Sequence, residues 1–467
     1  MSAPINSLNS AIQHTAVSPE ITYLFTAILA LMILTLAFEE KIHAKKSLIV
    51  LVYAVISLLL GSYYHLLPFG DIILPNGHHL SIPVYIPGID WGVIAIIVGS
   101  SLFVDVTSRS GLFTYVAIKL TKASKGDTLN LLWFYGIMTV VFSAVLNNVT
   151  AMIIVGSLTG VSLKKLGKED KLLGFLLVEG LLTNIGGLLT LISSVPNIIV
   201  GNAANISFVT FFVKASPYVF VATIITIFMG SKLFGIKKIQ SEEERVLSLE
   251  KVKGFDENDG IESTSFFYFA LVTLILFVAT IATTSILPVV KELGMGFVAL
   301  AFATLMLIQY KSKVDEFYKA IDWDLIGFFM ALFVVINVME HAMVLELIGK
   351  GINFIIGSEE SLVGTGSLLV SAAVASSVTD NIPLAAMLAK ILGASATPST
   401  SPLWWAVIFG ANLGGNITPI GSASTLVAVT IIHKYKIEMS FIGFVKKALP
   451  YAIVQISLAL VYVLFFL

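Results

Sequence analysis

The sequence predicts an all-α polytopic membrane protein made of two inverted-topology repeats, each holding a re-entrant hairpin and a broken helix. Three observations lead there. The 467 residues are 57% hydrophobic and 12% charged, with a mean hydropathy of +0.94, where soluble domains run to about 45–50% apolar and about 25% charged. Apolar runs recur from Ile21 to Leu467, several near the ~20 residues that cross a bilayer, with none of the short alternation of an outer-membrane barrel. Finally, TNIGGLLTLISSVPN (Thr183 to Asn197) returns in the second half as ANLGGNITPIGSAST (Ala411 to Thr425), each time inside an otherwise apolar stretch.

The elements follow in order. Before Ile21 the chain carries no Lys or Arg and no cleavable-signal layout, so the first span is expected at 21–38. Further spans are expected at 47–67, 91–108, 172–200 and 208–230, with a hairpin at 128–162 that enters and leaves on one side. The segment 232–263, rich in Lys and Glu, reads as a cytoplasmic linker between a first repeat at 1–231 and a second, inverted repeat at 264–467. The second half then gives spans at 265–287, 295–310, 323–340, 403–432 and 448–467, with its hairpin at 362–397. The hairpin at 128–162 is long enough for two short spans. Either assignment keeps the same parity, but two full crossings would strand Asn147 and Asn148 in an outer loop, whereas a buried tip explains their polarity.

Duplication rests on four anchors in unchanged order. Beside the opening pair, Ile89–Trp91 returns at Ile321–Trp323, LNNVTAM around Asn147 as TDNIPLA around Asp380, and SFVTFFVKASPY from Ser207 as SFIGFVKKALPY from Ser440. So long a period is no solenoid. It is the half-molecule repeat of transporters, whose sites form where the repeats meet. Of the 28 Lys and Arg, all but Lys214, Lys291, Lys350 and Lys390 fall on the linker side of this scheme. The positive-inside rule therefore sets the linker in the cytoplasm and both termini outside, in a cytoplasmic (inner) membrane.

Four polar elements interrupt the apolar spans: the tips Asn147–Thr150 and Thr379–Asn381, and the breaks Asn184–Asn197 and Asn412–Thr425. An opened helix frees carbonyls for a cation, and the helix that restarts presents N–H groups and a positive dipole end to an anion. Gly pairs alone usually serve close packing. Two matched breaks, each paired with a polar tip, favour a binding role, with Asn, Ser and Thr offering the hard oxygens that suit Na+. Among ionisable groups, Asp380, Glu179 and Asp105 lie within spans or at a tip, where charge is costly and so is usually paired, protonated or facing a cavity. Asp380 is the first candidate for a coupling carboxylate, with a helix cap as its structural alternative. Glu179 could equally tie helices together, and Asp105, which matches Asn337 in the second half, leans toward a structural contact. His341, Glu340 and Glu346 read as a solvated span end, His78–His79 as a loop more than a metal site, and Trp91, Trp323 and Trp404–Trp405 as interface anchors. Zero cysteines exclude disulfides and thiol chemistry. The absence of HExxH, P-loop and GxSxG patterns argues against an enzyme or an ATP-driven domain on this chain. No cofactor, structural metal or nucleic-acid partner is expected.

TNIGG at Thr183, Pro196–Asn197, DNIP at Asp380–Pro383 and FGANLGGNITPIGS at Phe409–Ser422 resemble the ion transporter superfamily over nearly the whole chain. Within it, they resemble the branch of arsenite permeases, NhaD-type sodium/proton antiporters and the P protein, which share a citrate-transporter-like domain. The resemblance implies a homodimer with scaffold and transport domains and elevator-type alternating access. By motif match it implies that Asn147, Asn148, Thr150, Asn184, Ser193, Ser194, Asn197, Asp380, Asn381, Asn412, Thr418, Gly421, Ser422 and Thr425 bind substrate or coupling ions. Relatives often read DN at the first tip and GDPPN at the first break; here stand Asn147–Asn148 and Ser193–Asn197. A first site without those carboxylates suits an anion or neutral oxyacid at least as well as Na+. The expected function is thus a secondary active transporter of a small ion or oxyanion, arsenite-like or carboxylate-like, coupled to H+ or Na+. An NhaD-like antiporter and a passive anion channel are the alternatives.

Overall fold

The computed structural model describes residues 17–67, 72–73, 77–80, 82–83, 85–357 and 361–467. The first half runs α1 Pro19–Ala37, α2 Glu39–Ile42, α3 Lys46–Tyr63, the short antiparallel pair β1 Ile72–Ile73 and β2 His79–Leu80, then α4 Trp91–Ser108, α5 Leu112–Ala123, α6 Thr128–Val145, α7 Asn148–Leu166, α8 Leu172–Gly187, α9 Val195–Ala203 and α10 Phe208–Leu233. After α11 Glu242–Lys253, the second half gives α12 Thr264–Thr283, α13 Pro288–Gln309, α14 Val314–Ala320, α15 Trp323–His341, α16 Val344–Ile356, α17 Leu362–Val378, α18 Asn381–Ala394, α19 Pro402–Gly414, α20 Ala423–Lys434 and α21 Phe441–Phe466. Among the described residues, 10 helices are long and apolar enough to cross a membrane.

Each expected span coincides with one helix or, at 172–200 and 403–432, with two helices separated by a non-helical stretch, and the boundaries differ for local reasons. The helix at the expected span 295–310 begins earlier, at Pro288, and is kinked at Gly294, whose φ of 76° is open to glycine. The last helix begins at Phe441, where Ser440 accepts a capping bond from Gly443 N. The arms of the first hairpin, α6 and α7, have 18 and 19 residues, long enough by length for full crossings; those of the second, α17 and α18, have 17 and 14. The sequence pattern assigns no element to α5 or α16, which are too short and too amphipathic to register as spans. The prolines inside α10 and α21, Pro217 and Pro450, stand at the same place in two helices of equal length.

Two compact units emerge, and each draws on both halves of the sequence. One comprises residues 1–90 and 327–351. Within it α1 and α3 pair through Thr35 Oγ1 and Tyr53 OH at 2.8 Å, and Gly61 lets α3 close on Val338. The other comprises residues 91–326 and 352–467. There α4 and α13 approach through small residues: a Cβ on Gly99 would lie 2.5 Å from the Ala299 backbone. Phe103 and Phe277, with ring centroids 4.5 Å apart, join α12 to this pair. The same unit holds a bundle of α6–α10 and α17–α21, in which α20 packs on α7 and α8, and α9 packs on α18 and α19. Each restarted helix therefore lies against the hairpin of the opposite half.

The linker is not plain coil. Its α11 begins with three glutamates and ends with Lys251 and Lys253, an order that complements the helix dipole. Lys251 Nζ donates to Leu166 O at 2.9 Å, Lys168 pairs with Glu244, and Ile239 N donates to Asp127 Oδ2 at 2.8 Å. Glu257 is gripped by Lys122 and, at 3.4 Å, by Lys119. The hydrogen bond from Lys122 is the main reason its carboxyl is pushed down to about 2 from the usual 4.5. A depressed folded value means that this attachment is intact above about pH 4.5 and is lost as pH falls toward 2. Proteolysis of the linker is expected to accelerate across that window, whereas Glu257→Gln should be cut quickly at every pH. Equal cleavage of the two proteins at neutral pH would show that Glu257 does not pin the linker.

Candidate functional site

Both broken helices stop in the same way. Each glycine costs about 1 kcal/mol against Ala in a helix interior, and the pairs Gly186–Gly187 and Gly414–Gly415 end the regular turns. Leu188 N and Leu189 N then donate to Ile185 O and Gly186 O, and Asn416 N and Ile417 N to Leu413 O and Gly414 O, all within 2.9–3.0 Å. These are the same two bonds, made once in each half. In the first loop Ser193 Oγ and Asn197 Nδ2 donate to the freed Gly187 O at 2.7 and 2.6 Å. In the second loop Thr425 Oγ1 lies 3.4 Å from the equivalent Gly415 O and 3.2 Å from Pro419 O. Gly421 replaces Ser193 there, and a Cβ on it would lie 3.0 Å from Gly415 Cα.

Each hairpin is clipped to the break of its own half by two bonds, again in duplicate. Ser143 Oγ donates to Thr183 O at 2.7 Å, and Ser376 Oγ to Ala411 O at 2.6 Å. Thr190 Oγ1 donates to Ala144 O at 2.5 Å, and Thr418 Oγ1 to Ser377 O at 2.6 Å. The register that carries Thr183 onto Ala411 along the broken helix, and Ser143 onto Ser376 along the hairpin, converts one set into the other.

The two breaks meet through an exchanged pair. Asn184 Nδ2 donates to Ser422 Oγ at 2.9 Å, and Ser194 Oγ donates to Asn412 Oδ1 at 2.7 Å. Asn412 is the counterpart of Asn184 in the repeat and Ser422 that of Ser194, so one Asn–Ser contact is made twice with the halves swapped. Around it, Asn184 Nδ2 also reaches Asn416 Oδ1 at 2.8 Å, and Asn184 Oδ1 accepts from Ser424 Oγ at 3.1 Å. Asn412 Nδ2 donates to Asn197 Oδ1 at 2.9 Å. Asn184, Asn197, Asn412, Asn416 and Thr425 have no exposed surface. These groups are uncharged amides and hydroxyls that donate to an oxyanion or lend oxygens to Na+ equally well. Here they satisfy one another, as buried polar groups must, so a ligand has to exchange these bonds rather than add to them.

The tips are half-buried, apart from buried Asn381. Asn147 caps α7, its Oδ1 accepting from Thr150 N at 2.8 Å. Asn148 carries the first tip to the break: its Oδ1 lies 2.8 Å from Ser143 Oγ and shares that hydroxyl's one proton with Thr183 O, and its Nδ2 donates to Asn184 Oδ1 at 3.2 Å. Asp380 caps α18, accepting from Ile382 N at 3.0 Å. The restart at α20 is capped by Ser422 Oγ, which accepts from Thr425 N at 3.3 Å. The restart at α9 has no side-chain cap, because the Ser194 hydroxyl is turned to Asn412.

Asp105 is held elsewhere, 3.6 Å from Arg109, which also bonds Glu316 at 3.0 Å and stacks on Phe317. Glu179 is fully buried and accepts from Thr159 Oγ1 at 2.6 Å. Sequence reasoning passes over Asn416, Gln455 and Thr226, a chain in which Asn416 Nδ2 donates to Gln455 Oε1 at 2.8 Å and Gln455 Nε2 to Thr226 Oγ1 at 2.9 Å. Asn416 lies in the quoted second motif, but the first half has Leu188 in its place, so a search for echoes overlooks it. Among the described residues, no group of three His, Cys, Asp or Glu is placed to hold a metal ion.

A family model described as citrate transporter matches residues 34–410. An uncharacterised transporter of Mycobacterium tuberculosis is 30% identical over 383 residues, covering 80% of this chain and 86% of that one. The P protein of Homo sapiens is 25% identical over 494 residues, covering 89% of this chain and 57% of the P protein, so the chain spans little more than half of that relative. Among solved structures, the YdaH transporter of Alcanivorax borkumensis superposes with a TM-score of 0.57 over 96% of this chain and 98% of its own, at 11% identity, a likeness of fold.

Proposed function

The chain belongs to the citrate transporter family, and from that premise we propose that it is a secondary active transporter of a small oxyanion, carboxylate-like or arsenite-like, coupled to H+ or Na+. That it is an integral multi-pass membrane transporter and not an enzyme follows from the family and its relatives. The observation that carries the finer reading is the exchanged Asn–Ser pair, Asn184 with Ser422 and Ser194 with Asn412. Contacts repeated between halves are what two inverted repeats around one central site require. A cluster that must release its own bonds to take a ligand suits alternating access better than an open pore. In this reading the bundle is the moving, elevator-type element, the protein is a homodimer, and the Lys- and Arg-rich linker side faces the cytoplasm.

Reconstitution tests it. Citrate, and arsenite as a second probe, should accumulate in proteoliposomes under an imposed pH or Na+ gradient and should exchange in counterflow without one. Failure of both probes in both formats would remove these two cargo classes, and single-channel currents in a planar bilayer would replace the carrier with a channel. Asp380 provides a narrower check. Asn is as good a helix cap as Asp, so Asp380→Asn keeps the bond to Ile382 N while deleting the charge. It should fold like wild type and lose gradient-driven accumulation, as a coupling carboxylate requires. Unaltered coupling in this variant would reduce Asp380 to a cap.

A further inference from the structure

The paired bonds of the two halves leave over a set of buried polar groups that occurs in one half alone. Glu179 stands where the second half has Val407, Thr159 where it has Leu392, and Tyr135 where it has Leu368. Matched positions build most of the central cluster, to which the second half adds Asn416 and Ser424. A carboxyl and its hydroxyl neighbours present on one side only answer a demand that the repeat does not share.

Their arrangement is a line. Thr159 Oγ1 donates to Glu179 Oε1 at 2.6 Å, and Glu179 Oε2 is buried with no partner. One turn along α7, Ser162 Oγ bonds with Tyr135 OH at 2.8 Å, and Tyr135 OH bonds with Thr121 Oγ1 at 2.8 Å. Ser124 follows, donating to Thr121 O at 2.7 Å and accepting from Gly126 N at 3.1 Å. Next to it Asp127 receives the linker through Ile239 N. Two hydrogen-bonded groups, Glu179–Thr159 and Ser162–Tyr135–Thr121, thus stand one turn of α7 apart, and the second reaches toward the linker end of the bundle.

No cation pairs with Glu179 among the described residues. Of the elements packed on α8, α6 presents Tyr135, and α7 carries Lys164 and Lys165 in its last turn. The last turn of α20 carries His433 and Lys434, α10 carries Lys214, Tyr218 and Lys232, the turn before α8 carries Glu169, Asp170 and Lys171, and α19 carries no titratable group. An unpaired carboxylate in such surroundings is costly, and the chemistry open to it is to take up and give back a proton.

We infer that Glu179 is a proton-carrying site, separate from the hairpin tips and reached from the linker end through Thr121, Tyr135, Ser162 and Thr159. A hydronium at that end gives its proton to the hydroxyl line and becomes water; each hydroxyl takes up one proton and passes on another, reorienting across the turn between Ser162 and Thr159, and Thr159 Oγ1 delivers to Glu179 Oε1, the oxygen it touches, turning carboxylate into carboxyl with no other bond changed. Coupling of this proton to cargo rests on the transporter reading above; the proton site itself does not.

Infrared difference spectra of the reconstituted protein between acid and alkaline pH read the carboxyl directly. The wild type should give a carboxylic-acid C=O band that is lost in Glu179→Gln and kept in Asp105→Asn. Tyr135→Phe should keep the band at equilibrium but slow its appearance after a pH jump by about 100-fold or more, the scale on which a positioned proton donor acts. Thr159→Val, for use if Glu179→Gln does not fold, should move the band because a donor to the carboxyl is gone. The same band in Glu179→Gln, or an unmoved band in Thr159→Val, overturns the site; an unslowed Tyr135→Phe overturns the route. Citrate counterflow at equal pH separates the two readings. If citrate does not move but the band titrates, the cargo reading fails and this one stands; if citrate moves and the band is missing, this one fails alone.

Discussion

Asn184→Ala is expected to destabilise the protein and to abolish transport. The amide of Asn184 serves four neighbours: Asn416 Oδ1, Ser422 Oγ, Ser424 Oγ and Asn148 Nδ2. Ser422 and Ser424 lie 3.2 Å apart and can turn to each other, so the loss falls chiefly on Asn416 Oδ1 and Asn148 Nδ2. Two stranded groups at about 1–3 kcal/mol each give an expected loss of about 2–6 kcal/mol. Asn184→Asp should be worse than Ala in one respect, because it turns a carboxylate oxygen on the Asn416 oxygen where an N–H had donated. Thermal unfolding of the purified variants and citrate counterflow in vesicles check both outcomes. A variant as stable as wild type would mean that the exchanged pair is peripheral, and the argument for a single central site would go with it. Asn412→Ala makes the matching test from the other half, orphaning Ser194 Oγ and Asn197 Oδ1.

Much of this was legible in the sequence because the chain says it twice. The breaks were visible because Gly pairs and polar clusters interrupt runs that are otherwise uniformly apolar, and the second copy shows that the interruption is no accident. Hairpin tips were visible for the same reason. What repetition reveals, however, it also limits. Asn416 and Gln455 are buried polar residues whose counterparts in the first half are Leu188 and Ala222, so the comparison that exposed Asn184 and Asn412 gave no cause to single them out. Their contact joins the second break to α21, and only packing brings those two elements together.

Other features escaped for a different physical reason. The helices α5 and α16 have 12 and 13 residues with one polar face, below the length at which apolarity alone marks a span. The linker's α11 was hidden by its charge: a run of Glu then Lys reads as solvated coil, yet Arg245 pairs with Glu242 one turn before it, a spacing that supports a helix. A tip aspartate serves equally as a helix cap or as a coupling carboxylate, and the bond from Ile382 N to Asp380 establishes the cap and leaves the second role open to it. Substitutions that keep the cap are therefore the ones that can separate the two roles.

Gly414→Ala is expected to open the seam between the second hairpin and its broken helix. A Cβ there would lie 2.2 Å from Ala373 O and 2.8 Å from Ala373 Cα. Both are backbone atoms of α17, so no rotamer change relieves the clash and α19 must move away. The same seam holds the bonds from Ser376 Oγ to Ala411 O and from Thr418 Oγ1 to Ser377 O, which any such movement stretches. Overpacking of about 1–3 kcal/mol with further loss from the stretched bonds gives an expected effect of about 2–4 kcal/mol. Gly186→Ala, whose Cβ would sit 2.7 Å from Val140 O, places the same clash in the first half at longer range and should cost less. Gly393→Ala is the control, since nothing lies within 4 Å of its Cβ position and Ala in a helix is favoured over Gly by roughly 0.5–1 kcal/mol. The expected order of melting temperatures is therefore Gly393→Ala at or above wild type, then Gly186→Ala, then Gly414→Ala. Should Gly414→Ala melt with Gly393→Ala, close backbone approach would not be what the second glycine pair provides, and the duplicated break would owe its glycines to the turn alone.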